Sequence, residues 1–420
     1  MDFAAISPTS ANRSHLYDNL RIGKPQDLVL TARYKDSYTS TGRLEEKLKT
    51  ASGNNSQLIM AFLEKDTVFF STSPLDDFEL PKIDPPNATA GEQWEFDGIS
   101  EDGMESFVFG FYRDPNYSFF GTGNLRMYAE FAFRDGSRYV RVDYAEDSVI
   151  ETCPGRGTRG TWRDKDWRYT FEVSSDMSVT KILMDSPEGN ATIHMTSVTP
   201  PRYADNSIWP SNNATLLTVP FFYWAEPVPV ATVALSATIE GRNISWMGMG
   251  GHERIWGAFN WFTCLASLSA VRLMAGPWAL SFIEFGSGLN KDLLVPSVML
   301  TENGKVTFAT RRTTPSDTED YVQYRRLYNG DGITTNKLTD KAVGVEVILS
   351  SPSRMQTWDF TVRHKNIGFE YNLGEGCGGT AYSGSAWGGI VGGRNWQGPA
   401  FSEIMKFPKK SMLLAKNYVE

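Results

Sequence analysis

Histidine and cysteine are scarce in this chain: its 420 residues include only 4 His and 3 Cys. Three cysteines cannot build a disulfide framework, and four histidines leave little for a metal centre, so no metal and no cofactor is expected. A basic excess is missing as well. The 41 Lys and Arg face 49 Asp and Glu, a net charge of -8, which argues against a nucleic-acid partner because such proteins normally carry a basic patch. Long hydrophobic runs are absent: the stretch from Phe259 to Phe285 is broken by Arg272 and Pro277, whereas a membrane-spanning helix needs about 20 nearly uninterrupted apolar residues. Helix signals are few, with only Thr41 to Ala51 reading as helical. What the chain does have is aromatic surface: 25 Phe, 17 Tyr and 12 Trp.

Short alternating segments bounded by Gly, Pro, Asn and Asp recur throughout, the pattern of an all-β protein. Ser106–Phe111, Arg126–Phe133 and Tyr139–Tyr144 are examples, with Asp135-Gly136 as a hairpin turn between the last two. Asn303-Gly304 separates Ser297–Leu300 from Lys305–Phe308 in the same way, and Val343–Leu349 with Gln356–Arg363 reads as a further pair. The Pro- and aromatic-rich segment from Pro220 to Pro229 suggests a boundary, giving two β domains, residues 1–225 and 226–420.

Seven Asn-x-Ser/Thr triplets begin at Asn12, Asn54, Asn87, Asn116, Asn190, Asn213 and Asn243. They predict a secretory-pathway protein, yet the polar Met1–Leu30 segment does not read as a signal peptide. Without a leader, the expectation is a cytoplasmic protein. An oxidising compartment would permit one disulfide. The flanks Thr152-Cys153-Pro154-Gly155 and Gly376-Cys377-Gly378-Gly379 read as loops, which makes Cys153–Cys377 the expected pair, with Cys264 in the core.

Catalytic signatures fail one by one. His252-Glu253-Arg254-Ile255-Trp256 starts like a zinc-protease helix, but Trp256 stands where the second His must be. Gly389-Ile390-Val391-Gly392-Gly393 lacks the Lys-Ser/Thr of a phosphate loop, and no nucleophile elbow occurs. The densest constellation runs from Phe221 to Gly288 and holds Tyr223, Trp224, Trp246, His252, Glu253, Arg254, Trp256, Trp261 and Trp278. Aromatic walls with a few polar groups suit a pocket for a large apolar ligand. Equally, β-barrels fill their interiors with aromatics, and His252 can be a satisfied core histidine. In a strand, His252 and Arg254 share one face and Glu253 takes the other.

These residues also carry a resemblance. Gly250-Gly251-His252-Glu253-Arg254-Ile255-Trp256-Gly257, followed by Arg272-Leu273 and Gly276-Pro277-Trp278, resembles the Gly-Tyr-His-Asp-x-Asn-Trp-Gly…Arg-x-x-Gly-Pro-Tyr pattern of the lipocalin-like Diels–Alderases of fungal secondary metabolism, relatives of carotenoid-hydratase-like proteins. Tyr223-Trp224-x-x-Pro227 and Glu92–Ser100 look like the family's aromatic strand and its Trp-x-Phe-Asp-x-Ser segment. The resemblance implies an N-terminal β-sandwich, a C-terminal lipocalin-like barrel, and a pocket between or within them for apolar small molecules. It implies walls from Trp94, Trp224, Trp256 and Trp387, hydrogen bonds from Tyr223 and His252, and structural roles for Glu253 and Arg254. Asp97 would orient a donor or sit in a turn.

Gly251, Glu253 and Ile255 depart from the decalin-forming branch, which has Tyr, Asp and Asn there. The departures, the triplets and the possible disulfide look more like the branch that joins a tropolone o-quinone methide to a humulene-type olefin. A cycloaddition needs no nucleophile and no cofactor: it needs diene and dienophile held in one geometry and a donor to polarise a carbonyl. The alternative within the family is a decalin-forming intramolecular Diels–Alderase of a polyketide pathway, and two functions outside it use the same pocket. One is a non-catalytic carrier of apolar ligands, and the other an isoprenoid hydratase or isomerase using His252 or Glu253 as acid. Oligomeric state is not legible.

Overall fold

The computed structural model describes residues 30–35, 50–53, 56–60, 67–84, 90–114, 125–257, 261–374 and 376–408. Alternation of apolar and polar residues dictates strands, and three antiparallel sheets result. The largest has thirteen strands. It runs from Leu30–Lys35 through a meander of five strands between Asp147–Cys153 and Gly189–Ser197, and then into the long hairpin Phe222–Ile239/Arg242–Gly257. It continues through Gly91–Ser100, Ser106–Arg113 and Arg126–Ala132 to Arg138–Tyr144. The sheet curls back on itself. Trp94, in its second half, meets Trp162 of the meander at 5.4 Å between ring centroids, and Phe96 meets Phe171 at 5.4 Å. Each such ring pair adds about 0.5–1.5 kcal/mol beyond the area it buries.

The second sheet has nine strands in the order Lys305–Thr310, Leu294–Glu302, Trp278–Ser287, Leu265–Ala275, Trp396–Lys406, Cys377–Ile390, Gln356–Gly374, Gly344–Ser351 and Tyr321–Leu327. Its ends approach each other, with the Val322 N–H donating to the Arg312 carbonyl at 2.8 Å. Trp278, Phe282, Phe308, Trp358 and Phe360 fill the interior of this nearly closed barrel. A four-stranded sheet, Thr50–Gly53 to Ile83–Asp84, is the third. The turn residues behave as their sequence requires: Gly136 has φ +80°, and Asn303 and Gly304 have φ +49° and +79°, the left-handed pair of a tight hairpin.

Three expectations need correction. The division does not fall at 225/226: Phe222–Ile239 and Arg242–Gly257 both belong to the first sheet, and the barrel begins at Leu265. Pro227 and Pro229 do not mark a linker because they sit at register shifts between Ala225, Val228 and Ala231, bulges where a strand tolerates a missing donor. The Cys153–Cys377 disulfide does not form. Cys153 is a free thiol ending a strand of the first sheet opposite Gly157, while Cys377 opens a barrel strand opposite Gly374. Neither residue is in a loop. The helix expected over Thr41–Ala51 lies mostly outside the described residues, and its end, Thr50-Ala51, is strand. Among the triplets, Asn190, Asn213 and Asn243 are exposed, and the other four Asn lie outside the described residues. No helix among the described residues is long and apolar enough to cross a membrane.

Candidate active site

Two interior strands of the first sheet, Gly91–Ser100 and the Gly248–Gly257 half of Arg242–Gly257, are buried on both faces. Strand alternation sends Glu92, Trp94, Phe96, His252, Arg254 and Trp256 into the sandwich core. The opposite face carries Gln93, Glu95, Asp97, Gly251 and Glu253 toward the barrel. The two faces differ in chemistry.

On the sandwich face the ring, guanidinium and indole donors are tied down. His252 stacks on Phe96 at 3.9 Å, with Nδ1 2.8 Å from the Glu95 carbonyl and Nε2 3.0 Å from the Glu79 carboxylate. Arg254 donates to the carbonyls of Phe78, Gln93 and Leu80 and pairs with Glu92 at 3.1 Å, its guanidinium 3.6 Å over the Trp94 ring. Trp94 and Trp256 donate their indole N–H groups to the carbonyls of Glu79 and Ser71. Tyr223 stacks on Trp256 at 5.9 Å and meets Phe70 edge-on.

On the barrel face two arginines bolt the sheets together. Arg272, from the barrel strand Leu265–Ala275, pairs with Asp97, pairs with Glu226 at 3.1 Å, and donates to the Pro229 carbonyl. Arg202 pairs with Glu226 at 2.7 Å and donates to Ser281 and Ser297 of the barrel. Gly251 makes this possible, because a Cβ there would lie 2.3 Å from Arg272 Nε. A larger residue at 251 and this placement of Arg272 exclude one another.

Carboxylates outnumber cations here: Glu95, Asp97, Glu226, Glu253 and Glu403 surround Arg202 and Arg272. Burial, reinforced by the neighbouring negative charges, pushes the Glu95 carboxyl up to about 8 and that of Glu253 up to about 7. Glu403 is raised well above the carboxylate range, first by burial and then by Glu95, Glu253 and Asp97. Asp97 is also raised by burial, against the pull of Arg272.

A continuous row crosses the sheet at this point: Glu253 pairs with Glu95, Glu95 with Gly110, and Gly110 with Tyr128. Glu253, Glu95 and Tyr128 are mid-strand residues, yet they are only half-buried among fully buried neighbours. Such a pattern marks a crevice between the two sheets. The Tyr112 ring covers Gly110, where a Cβ would lie 2.4 Å from it. Trp224, held by its N–H on Glu253 at 2.8 Å, Tyr112, Leu268 and Phe285 form one apolar flank, and half-buried Met405 joins it from the barrel. A separate cavity of about 260 Å³ lies at one end of the barrel, lined by Arg326, Tyr328, Asp340, Ile404 and Lys406; large apolar ligands usually occupy about 300 Å³ or more.

The structure therefore brings Trp224, Glu253 and Asp97 to the crevice and places Tyr223, His252, Trp94, Trp256 and Arg254 behind it, in the sandwich. Trp387 is elsewhere, 40% exposed on a barrel strand against Arg363. Glu95, Gly110, Tyr128, Glu226 and Glu403 went unremarked in the sequence. Of these, Glu95 had a legible signal, as the middle of a polar Gln93-x-Glu95-x-Asp97 face backed by Trp94-x-Phe96.

Known proteins agree with this architecture. Residues 52–408 match the family described as Diels-Alderase-like. The chain is 49% identical over 353 residues to the Diels-Alderase cheD of Chaetomium globosum, covering 84% of this chain and 83% of that protein. It is 46% identical over 356 residues to the Diels-Alderase phmD of Phaeosphaeria nodorum, covering 85% and 99%. The crystal structure of CghA with Sch210972 shares the fold, with a TM-score of 0.67 at 24% identity over 77% of this chain and 89% of that one. By sequence and by fold, this chain is an enzyme of the Diels–Alderase-like family.

Proposed function

We propose that the protein catalyses an all-carbon [4+2] cycloaddition of a polyene whose dienophile is conjugated to a carbonyl, in the crevice between sandwich and barrel. The observation that carries this reading is the row Glu253–Glu95–Gly110–Tyr128. It sets a polar, partly accessible strip beside the apolar flank of Trp224, Tyr112 and Phe285. The flank would hold the chain of the polyene in a near-attack fold, and proximity alone can lower such a barrier by several kcal/mol. The strip would hold the carbonyl, where a hydrogen bond strengthens as charge grows on its oxygen. The names of the relatives support an ordinary Diels–Alder reaction.

A hetero-Diels–Alder union of a tropolone o-quinone methide with a humulene-type olefin, in a secretory-pathway protein, keeps one supporting observation: Asn190, Asn213 and Asn243 are exposed. Its expected disulfide is missing.

Incubation with a synthetic polyene carrying a conjugated diene and an enone tests the proposal. A faster reaction yielding one stereoisomer is expected. Acceleration only of the quinone methide–olefin pair would replace this reading with the hetero one. Binding of the polyene without acceleration of either reaction would make the crevice a carrier site.

A further inference from the structure

Five carboxylates and two guanidiniums cannot all be charged in a closed interface. An unpaired buried carboxylate costs several kcal/mol, and such a site takes up protons instead. Asp97 and Glu226 hold the ion pairs to Arg272 and Arg202. That leaves Glu95, Glu253 and Glu403, none of which makes an ion pair among the described residues. Glu403 is buried, its Oε1 has no hydrogen-bond partner, and its nearest charged neighbours are Glu95, Glu253, Asp97 and Arg272. Glu253 has one oxygen committed to the Trp224 N–H, a contact that favours its ionised form. Glu95 receives the Gln93 amide N–H on Oε2 at 2.7 Å and lies half-buried between Glu253 and Gly110 in the row.

We propose that Glu95 is a neutral carboxylic acid and a catalytic residue, donating its O–H to the carbonyl of the bound substrate, and that Glu253, Glu403 and Asp97 keep it protonated. The role rests on the cycloaddition reading for its substrate. The protonation state can be tested without one. The groups facing Glu95 are Gln93 and Asp97 on its own strand, Glu253 on the adjacent strand, and Arg272 and Glu403 from the barrel. Arg272 and the Gln93 N–H oppose its protonation, and the three carboxylates favour it. The burial-driven rise of Glu95 to about 8 agrees with this arrangement.

The test is infrared spectroscopy of the full chain, titrated from about pH 5 to about pH 10. Wild-type protein should show carboxylic-acid C=O absorption at pH 7, one component of which disappears as pH rises through about 8; Glu95→Gln should lack that component and keep the one Glu403 contributes. Glu253→Gln removes a like charge, so the Glu95 band should then disappear at lower pH. A component titrating near 8 that survives Glu95→Gln, or no such component in wild type, overturns the assignment.

With the polyene–enone probe, Glu95→Ala should lose at least about tenfold in rate at pH 7. Glu95→Gln keeps an N–H donor and should retain most of the rate with a flat profile above pH 7, where the wild-type rate falls. A wild-type rate that rises with pH overturns the donor role. No acceleration by wild type, with the band present, would instead defeat the cycloaddition reading.

Discussion

The two faces of one pair of strands use ionisable groups in opposite ways. Behind Gly91–Ser100 and Gly248–Gly257, Arg254, Arg113 and Lys82, with His252 on Glu79, meet Glu79, Glu92, Asp76 and Asp77, so each carboxylate has a basic neighbour, and carbonyls take the remaining Arg254 donors. In front of the same strands, two cations meet five carboxylates, and Glu95, Glu253 and Glu403 make no ion pair among the described residues. The balanced side holds the sandwich together. The unbalanced side stores protons where a ligand can reach them. Substitutions on the two sides should therefore fail in different ways.

The largest effect belongs to the balanced side. Arg254→Ala strands Glu92 without its ion pair and frees three carbonyls, so a loss of about 3–5 kcal/mol is expected, measured by urea unfolding. Most of that loss should persist at low pH, because the freed carbonyls gain nothing from a proton even where Glu92, raised by burial, takes one up. On the unbalanced side, Arg272→Met should cost less at pH 5 than at pH 8, since Asp97 and Glu253 can take up protons when their cation is gone. Equal losses at both pH values would erase the distinction between the faces.

Gly251→Ala probes the bolt more gently. Its Cβ would displace the Arg272 guanidinium, at a cost of about 1–3 kcal/mol if Arg272 must leave Asp97. The intact protein should show a pH trend of its own. Glu95 and Glu253 bind protons more tightly folded than unfolded, so their stabilising contribution is complete below about pH 4.5 and lost as pH rises through about 7 and 8. The thermal midpoint should fall over that window, and Glu253→Gln should flatten the fall.

Much of the fold was legible because strand alternation and hairpin turns are local. Asp135-Gly136 and Asn303-Gly304 announce their turns, and the opposition of His252 and Arg254 to Glu253 follows from period two. The site was less legible, because alternation assigns residues to faces without saying what lies against each face. His252 reads as a catalytic group until Glu79 and Phe96 are seen to satisfy it. Glu403, in Phe401-Ser402-Glu403-Ile404-Met405, shares a face with apolar Phe401 and Met405, but nothing local shows that Glu95 and Glu253, far away in sequence, lie against it. The domain boundary failed for a related reason: prolines that suggest a linker are absorbed by bulges once the strand has partners on both sides.

The smallest expected effect tests how far the crevice extends. Trp387 lies on neither face of the central strands. It is 40% exposed, and its nearest charged contact is the Arg363 guanidinium at 5.9 Å from the ring. An exposed cation–ring contact at that distance contributes about 0.5 kcal/mol, so Trp387→Ala should change stability by no more than that. It should also leave the rate with the polyene–enone probe unchanged, whereas Trp224→Ala, which removes both an apolar wall and the hydrogen bond to Glu253, should reduce it. A comparable rate loss in Trp387→Ala would carry the substrate out of the crevice and along the outer surface of the barrel, and would break the assignment of chemistry to the acid-rich face alone.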